Sequence, residues 1–146
     1  MIRQAEDEAE MEIREYTDFD RDEIRRLYER AGWTAYTNNM PALEQGFKNS
    51  LSVLAAYENG ELLGIVRAVG DGCTVVFVQD ILVFPDKRRR GVGTALMKAV
   101  LDRYRPVRQI ELITDDTPET AAFYRSLGFS ELSEAGCLGF VRFAQA

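Results

Sequence analysis

The chain has 146 residues, 46% of them hydrophobic and 29% charged, which is enough to bury one domain's core. With two cysteines and no histidine it excludes zinc sites of the usual Cys/His kind and any Ser-His or Cys-His nucleophilic couple, and its net charge of −6 argues against a nucleic-acid-binding face as the main function. No run reaches the roughly 18 apolar residues that a membrane span needs, so no membrane partner is expected.

The opening, residues 1–10, reads as an acidic, frayed lead-in containing Glu6, Asp7, Glu8 and Glu10, and 11–146 as a single domain. It lacks the basic-then-apolar profile of a signal peptide, so the cytoplasm is the expected compartment. Met11 to Tyr16 alternates as a first strand. Asp18 or Asp20 can cap a helix to about Arg30, with Ile24, Leu27, Tyr28 and Ala31 on one face and Gly32 ending it. Trp33 to Met40 reads as a loop, and Pro41 suits the first turn of a short helix reaching about Asn49.

Strands follow. Leu51 to Tyr57 runs into Asn59-Gly60, a hairpin signal, and Leu62 to Val69 returns. Gly70-Asp71-Gly72 turns the chain again, and Thr74 to Val83 makes a long third strand that Pro85 stops. An amphipathic helix from Gly91 to about Tyr104 presents Val92, Ala95, Leu96, Ala99 and Val100 to the sheet. Gln109 to Thr114 is strand-like. A strand–helix–strand crossover is right-handed, so this strand should lie parallel to Thr74–Val83. Pro118 opens a helix to Leu127, Gly128 ends it, and Cys137 to Phe143 reads as a final strand. The expected fold class is α/β: a mixed central sheet in which an antiparallel meander joins a parallel strand pair, with helices on both faces.

The most informative stretch is Asp86-Lys-Arg-Arg-Arg-Gly-Val-Gly-Thr-Ala-Leu-Met97. Strand, short turn, Gly-x-Gly and helix together aim free backbone N–H groups and the positive end of the helix dipole at one point, where anions bind. Glycine lets a phosphate approach the backbone, and arginines add charge and forked donors. A P-loop needs Gly-x4-Gly-Lys-Ser/Thr, which is absent. The dinucleotide fingerprint needs a third glycine where Leu96 stands. What remains is Arg-x-x-Gly-x-Gly, spelled Arg88-Arg89-Arg90-Gly91-Val92-Gly93 and followed by Thr94.

With that motif the chain resembles the GNAT (Gcn5-related) N-acetyltransferases. A second signature, Ala121-Ala-Phe-Tyr-Arg-Ser-Leu-Gly-Phe129, is similar to that family's Phe-Tyr-x-x-x-Gly-Phe. The resemblance runs from Met11 onward and is tightest from Gln79 to Phe129. It implies acetyl-CoA as co-substrate, no metal, and direct attack by a primary amine of a small molecule or peptide in a ternary complex. It implies that the segment Arg88 to Thr94 holds the pyrophosphate. It also implies that the main chain of Ile81, Leu82 and Val83 holds the pantetheine arm where two strands splay.

On the same resemblance, Tyr124 is the candidate general acid toward the departing thiolate, a phenol being a suitable donor. For the base the alternatives stay open: Asp80 near the end of the long strand, which could equally cap a neighbouring loop or hold an arginine, Glu111 on the next strand, or ordered water. Strict alternation puts Asp80 on the face of Val78 and Leu82, opposite Gln79 and Ile81, unless a bulge intervenes. Thr117 stands where many relatives place a cofactor-binding Asn, a departure from the pattern. Trp33 and Tyr36 are expected to wall the acceptor site; the alternative for Trp33 is a hydrophobic plug after the first helix. Homodimers are common among such proteins, so a homodimer is an allowed state. The rival reading is a coenzyme A-binding sensor domain of weak or no turnover.

Overall fold

The computed structural model describes residues 10–145, so all of the acidic lead-in except Glu10 lies outside the described residues. The chain forms two compact units, one up to Ile113 and one from Thr114 onward.

The first unit is built on a five-stranded sheet in the order β1-β2-β3-β4-β5. Its strands are β1 (Glu12–Glu15), β2 (Ser52–Glu58), β3 (Glu61–Gly70), β4 (Val75–Val83) and β5 (Gln109–Leu112). β1 through β4 pair antiparallel, and β5 lies parallel to β4, as the crossover rule requires. The β2–β3 hairpin turns at Asn59 and Gly60, both with positive φ (51° and 76°), the conformation of a two-residue turn matched to strand twist.

Helices cover both faces. On one side lie α1 (Arg21–Arg30), α2 (Thr34–Thr37) and α3 (Met40–Lys48). Asp20 caps α1 by accepting from the Glu23 amide at 3.1 Å, and Asn39 caps α3 through the Ala42 amide. Ile24, Leu27 and Tyr28 of α1 and Met40, Leu43 and Phe47 of α3 pack on Val53, Ala55, Ile65, Leu82 and Phe84 of the sheet and its exit. Each such aliphatic side chain contributes about 1.5–3 kcal/mol by leaving water. On the other side, α4 (Val92–Arg103) buries Val92, Leu96, Met97 and Val100. Met97 thus joins the apolar stripe, while Ala95 and Ala99 sit at its half-buried margin.

The second unit holds α5 (Pro118–Ser126), opened by Thr117, whose side chain accepts from the Thr120 amide, and closed at Gly128 with φ 91°. Two expectations are corrected. Trp33–Met40 is not all loop: Thr34–Thr37 winds one helical turn, which Thr37 closes by donating its hydroxyl to the Thr34 carbonyl. One turn is too short for periodicity to show. Cys137–Phe143 is not a strand: no described strand pairs with it, and the Cys137 amide bonds back to the Leu132 carbonyl in a tight local turn. Alternating apolar residues give only a propensity; the ladder partner makes the strand.

Candidate active site

Two features of the β4–turn–α4 segment create unpaired main-chain groups. β5 accompanies β4 only from Val75 to Val78, whereas β3 stays paired with it as far as Val83. From Gln79 to Val83, therefore, no described strand neighbours one side of β4. Unpaired backbone groups beside a sheet need a partner from elsewhere. Leu82 points into the core, and Ile81 and Val83 are half-buried.

After Phe84 a single 3₁₀ turn, Pro85–Lys87, leads to the arginines. Arg89 has φ 64°, a left-handed conformation that costs a non-glycine residue about 1–2 kcal/mol, and such strain clusters at ligand clamps. Gly91, the N-cap of α4, sits at φ 79° and supplies no side-chain cap. The first intrahelical bond of α4 is Ala95 N–H to the Gly91 carbonyl, so the amides of Val92, Gly93 and Thr94 precede the helical ladder. A Cβ built on Gly91 would meet no atom within 4 Å, so the mouth of the helix is open. Uncapped amides, an open approach and adjacent guanidinium groups fit a diphosphate.

The three arginines are not equivalent. Arg90 Nη2 donates to both carboxylate oxygens of Glu58, at 2.7 and 2.6 Å, which ties it to the end of β2. Among the described residues Arg88 and Arg89 make no ion pair.

A second cluster lies under α1 and α2. The register of β3 against β4 shifts between Arg67, which faces Asp80, and Ala68, which faces Val78, so Gln79 is the extra residue of a bulge. Gln79 and Asp80, adjacent in sequence, consequently reach the same side: Gln79 Nε2 donates to the Tyr36 hydroxyl at 2.8 Å, and Asp80 Oδ2 accepts from the Tyr28 hydroxyl at 2.7 Å. Strict alternation fails here, and Asp80 keeps the face of Leu82 while parting from Val78.

Asp80 is 1% exposed. Its Oδ2 also accepts from Arg67 Nε at 2.8 Å, while its Oδ1 is buried without a hydrogen-bond partner. A buried carboxylate persists only when paired, and Arg67 supplies the charge. Arg67 is itself seated against α3: its guanidinium lies 5.6 Å from the Phe47 ring centroid, and a Cβ on Gly46 would come within 3.3 Å of Nη1. Burial works against the Arg67 cation, but the Asp80 carboxylate outweighs it and raises the Arg67 pKa above the ordinary value. For Tyr28, burial and then the Asp80 charge hold the phenol far above the usual range.

Trp33 and Tyr36 stack at 5.9 Å with an 18° interplanar angle, and both meet Tyr28 edge-on. Both are half-buried, so Trp33 packs on the core while keeping an accessible edge. Glu111 on β5 is held by a hydrogen bond from Gln109.

The second unit carries Thr117 and Tyr124. Thr117 Oγ1 is engaged as the cap of α5. Tyr124 packs edge-on against Phe123 and Phe129; burial raises its pKa, with a hydrogen bond to Thr114 opposing. Sequence reasoning missed Tyr28, Arg67 and Gln79, although Arg67 and Asp80 are each a charge inside an apolar strand, which is a readable sign of a buried pair. Among the described residues no group of three or more His, Cys, Asp or Glu side chains could hold a metal ion, and no helix is long and apolar enough to cross a membrane.

An antiparallel meander, a strand pair that parts midway and an open, uncapped helix mouth after the parting define a GNAT-like class of fold. Residues 18–129 match the Acetyltransferase (GNAT) family, and the chain belongs to that family. The GNAT-family acetyltransferase SP0256 from Streptococcus pneumoniae TIGR4 is 34% identical in sequence and superposes with a TM-score of 0.83, covering 94% of this chain and 100% of that one. AAC(6')-Iy, in complex with the bisubstrate analog CoA-S-monomethyl-acetylneamine, shares the fold at 21% identity and a TM-score of 0.71, covering 94% of this chain and 99% of that one. The uncharacterized N-acetyltransferase ycf52 of Gracilaria tenuistipitata var. liui is 26% identical over 113 residues, which are 73% of this chain and 60% of the relative. That of Pyropia yezoensis is 22% identical over 111 residues, 73% of this chain and 63% of the relative. The chain thus spans less than two thirds of these curated relatives.

Proposed function

We propose that this chain transfers the acetyl group of acetyl-CoA to a primary amine of a small molecule or peptide by direct attack in a ternary complex. The observation that carries the reading is the uncapped amide cluster of Val92, Gly93 and Thr94 behind an open Gly91. It follows a strand whose main chain is unaccompanied on its β5 side beyond Val78. The bound co-substrate supplies an activated thioester; the chain's own residues do the rest.

Arg88, Arg89 and the α4 amides hold the diphosphate, and the main chain of Ile81, Leu82 and Val83 orients the pantetheine arm. An N–H near Val83 donates to the acetyl oxygen, where negative charge develops. Tyr124, assigned on the family motif, gives its proton to the departing sulfur; a phenol carries that proton at neutral pH. The amine's proton goes by way of water to Asp80, whose buried Oδ1 is left without a partner by Tyr28 and Arg67. Thr117 serves the cofactor only if it does so while capping α5.

The test is thiol release from acetyl-CoA with a panel of primary amines, comparing wild type with Tyr124→Phe. Amine-dependent release that falls about 100-fold in kcat in the variant, with little change in the acetyl-CoA KM, is expected. Acetyl-CoA binding with no release from any amine would make the chain a coenzyme A sensor instead.

A further inference from the structure

The surroundings of the bulge say more about the acceptor than that it is an amine. Gln79 gives one of its two amide N–H groups to the Tyr36 hydroxyl, and among the described residues its Oε1 has no partner. Asp80 Oδ1 on the same side is also without one. The bulge therefore brings two unpaired hydrogen-bond acceptors to one place, Gln79 Oε1 on a half-buried side chain and Asp80 Oδ1 in the interior, and an amine head group can donate to the first.

The walls beside these acceptors are flat and neutral. Trp33 and Tyr36 present a stacked pair of rings, and the thirteen residues from Ala31 to Leu43, which form α2 and the start of α3, contain no charged side chain. The one carboxylate, Asp80, is already balanced by Arg67 at 2.8 Å. A polycation, such as a polyamine or a lysine-rich peptide, is held by several carboxylates. An aromatic body is held by ring faces and edges.

We propose that the acceptor is a primary amine borne on an uncharged aromatic body, with the rings of Trp33 and Tyr36 receiving the body and Gln79 acting as the specificity-determining residue for the amine end. The proposal rests on the transferase reading for its use, but the binding it describes is measurable without turnover. Tyr36 holds Gln79 in place through its hydroxyl, so the two residues act together.

Trp33 is the only tryptophan, so its fluorescence reports this site alone. Titration of the full chain with 2-phenylethylamine is expected to give a saturable change in Trp33 emission, with spermidine giving none at equal concentration. Gln79→Leu should raise the 2-phenylethylamine Kd about tenfold, the scale of one hydrogen bond. Tyr36→Phe, which keeps the ring and removes the hydroxyl, should raise it less, and both variants should keep the wild-type Tm to within a few degrees. A response to spermidine as strong as to 2-phenylethylamine, no response to either, or a Gln79→Leu variant that binds 2-phenylethylamine as wild type does would overturn the proposal. If Trp33 responds as described but no amine releases thiol from acetyl-CoA, the transferase reading fails and the binding inference stands.

Discussion

Tyr28 and Asp80, 52 positions apart, are joined by a 2.7 Å hydrogen bond in the interior, and the oxygen that Tyr28 donates to also receives Arg67. The three residues tie α1 to β3 and β4 directly beneath the bulge. Removing one partner leaves an uncompensated buried charge. Arg67→Ala or Asp80→Ala should each cost about 3–5 kcal/mol, whereas a volume-matched apolar pair, Arg67→Met with Asp80→Leu, should recover much of that loss. Urea denaturation curves for the three variants make the comparison; single variants losing less than about 1 kcal/mol would contradict a buried pair.

The same cluster predicts alkaline sensitivity. Burial, then the Asp80 charge, raises the Tyr28 pKa well above its unfolded value of 10.0. A folded-state pKa raised in this way gives a contribution that is full below the unfolded pKa and lost as pH rises past it, because the unfolded chain releases a proton that the folded chain keeps. The urea midpoint should therefore fall steeply above pH 10, and Tyr28→Phe should flatten that fall. Tyr16, raised mainly by its own burial, accounts for part of the slope that remains. An identical slope in wild type and Tyr28→Phe would show that Tyr28 ionises freely.

The arginine cluster divides by partner. Because Glu58 holds Arg90 at 2.6 and 2.7 Å, the free charge at the helix mouth belongs to Arg88 and Arg89. Reversing both to Glu should raise the acetyl-CoA KM about tenfold or more, the scale of a charge-assisted hydrogen bond, with little effect on the amine's KM. Arg90→Ala should change either constant far less. Steady-state kinetics with each substrate varied in turn reads this directly, and equal rises in both KM values for the Glu variants would argue against the diphosphate at this turn.

Much of the fold is legible in the sequence because its signals are local. Asn59-Gly60 specifies a hairpin by backbone conformation alone, Asp20 and Thr117 cap their helices, and Gly91 opens α4 where the Gly-x-Gly pattern places it. The parting of β4 and β5 follows from the family resemblance and is confirmed by the register ending at Val78. What escaped depends on contacts distant in sequence. The bulge at Gln79 is a property of the β3 register, not of Gln79, and it decides which side two functional side chains face. The Tyr28–Asp80–Arg67 cluster requires α1 to be laid on the sheet before its members meet. Cys137–Phe143 alternates as a strand does, but no described strand pairs with it.

The central claim, that a diphosphate docks on the amides opening α4, is tested most directly by backbone amide NMR during titration of the full chain with coenzyme A. The largest saturable shifts should fall on Gly91, Val92, Gly93 and Thr94, with a second group at Ile81 to Val83. Saturable binding that leaves those amides unmoved while shifting another part of the chain would contradict the claim.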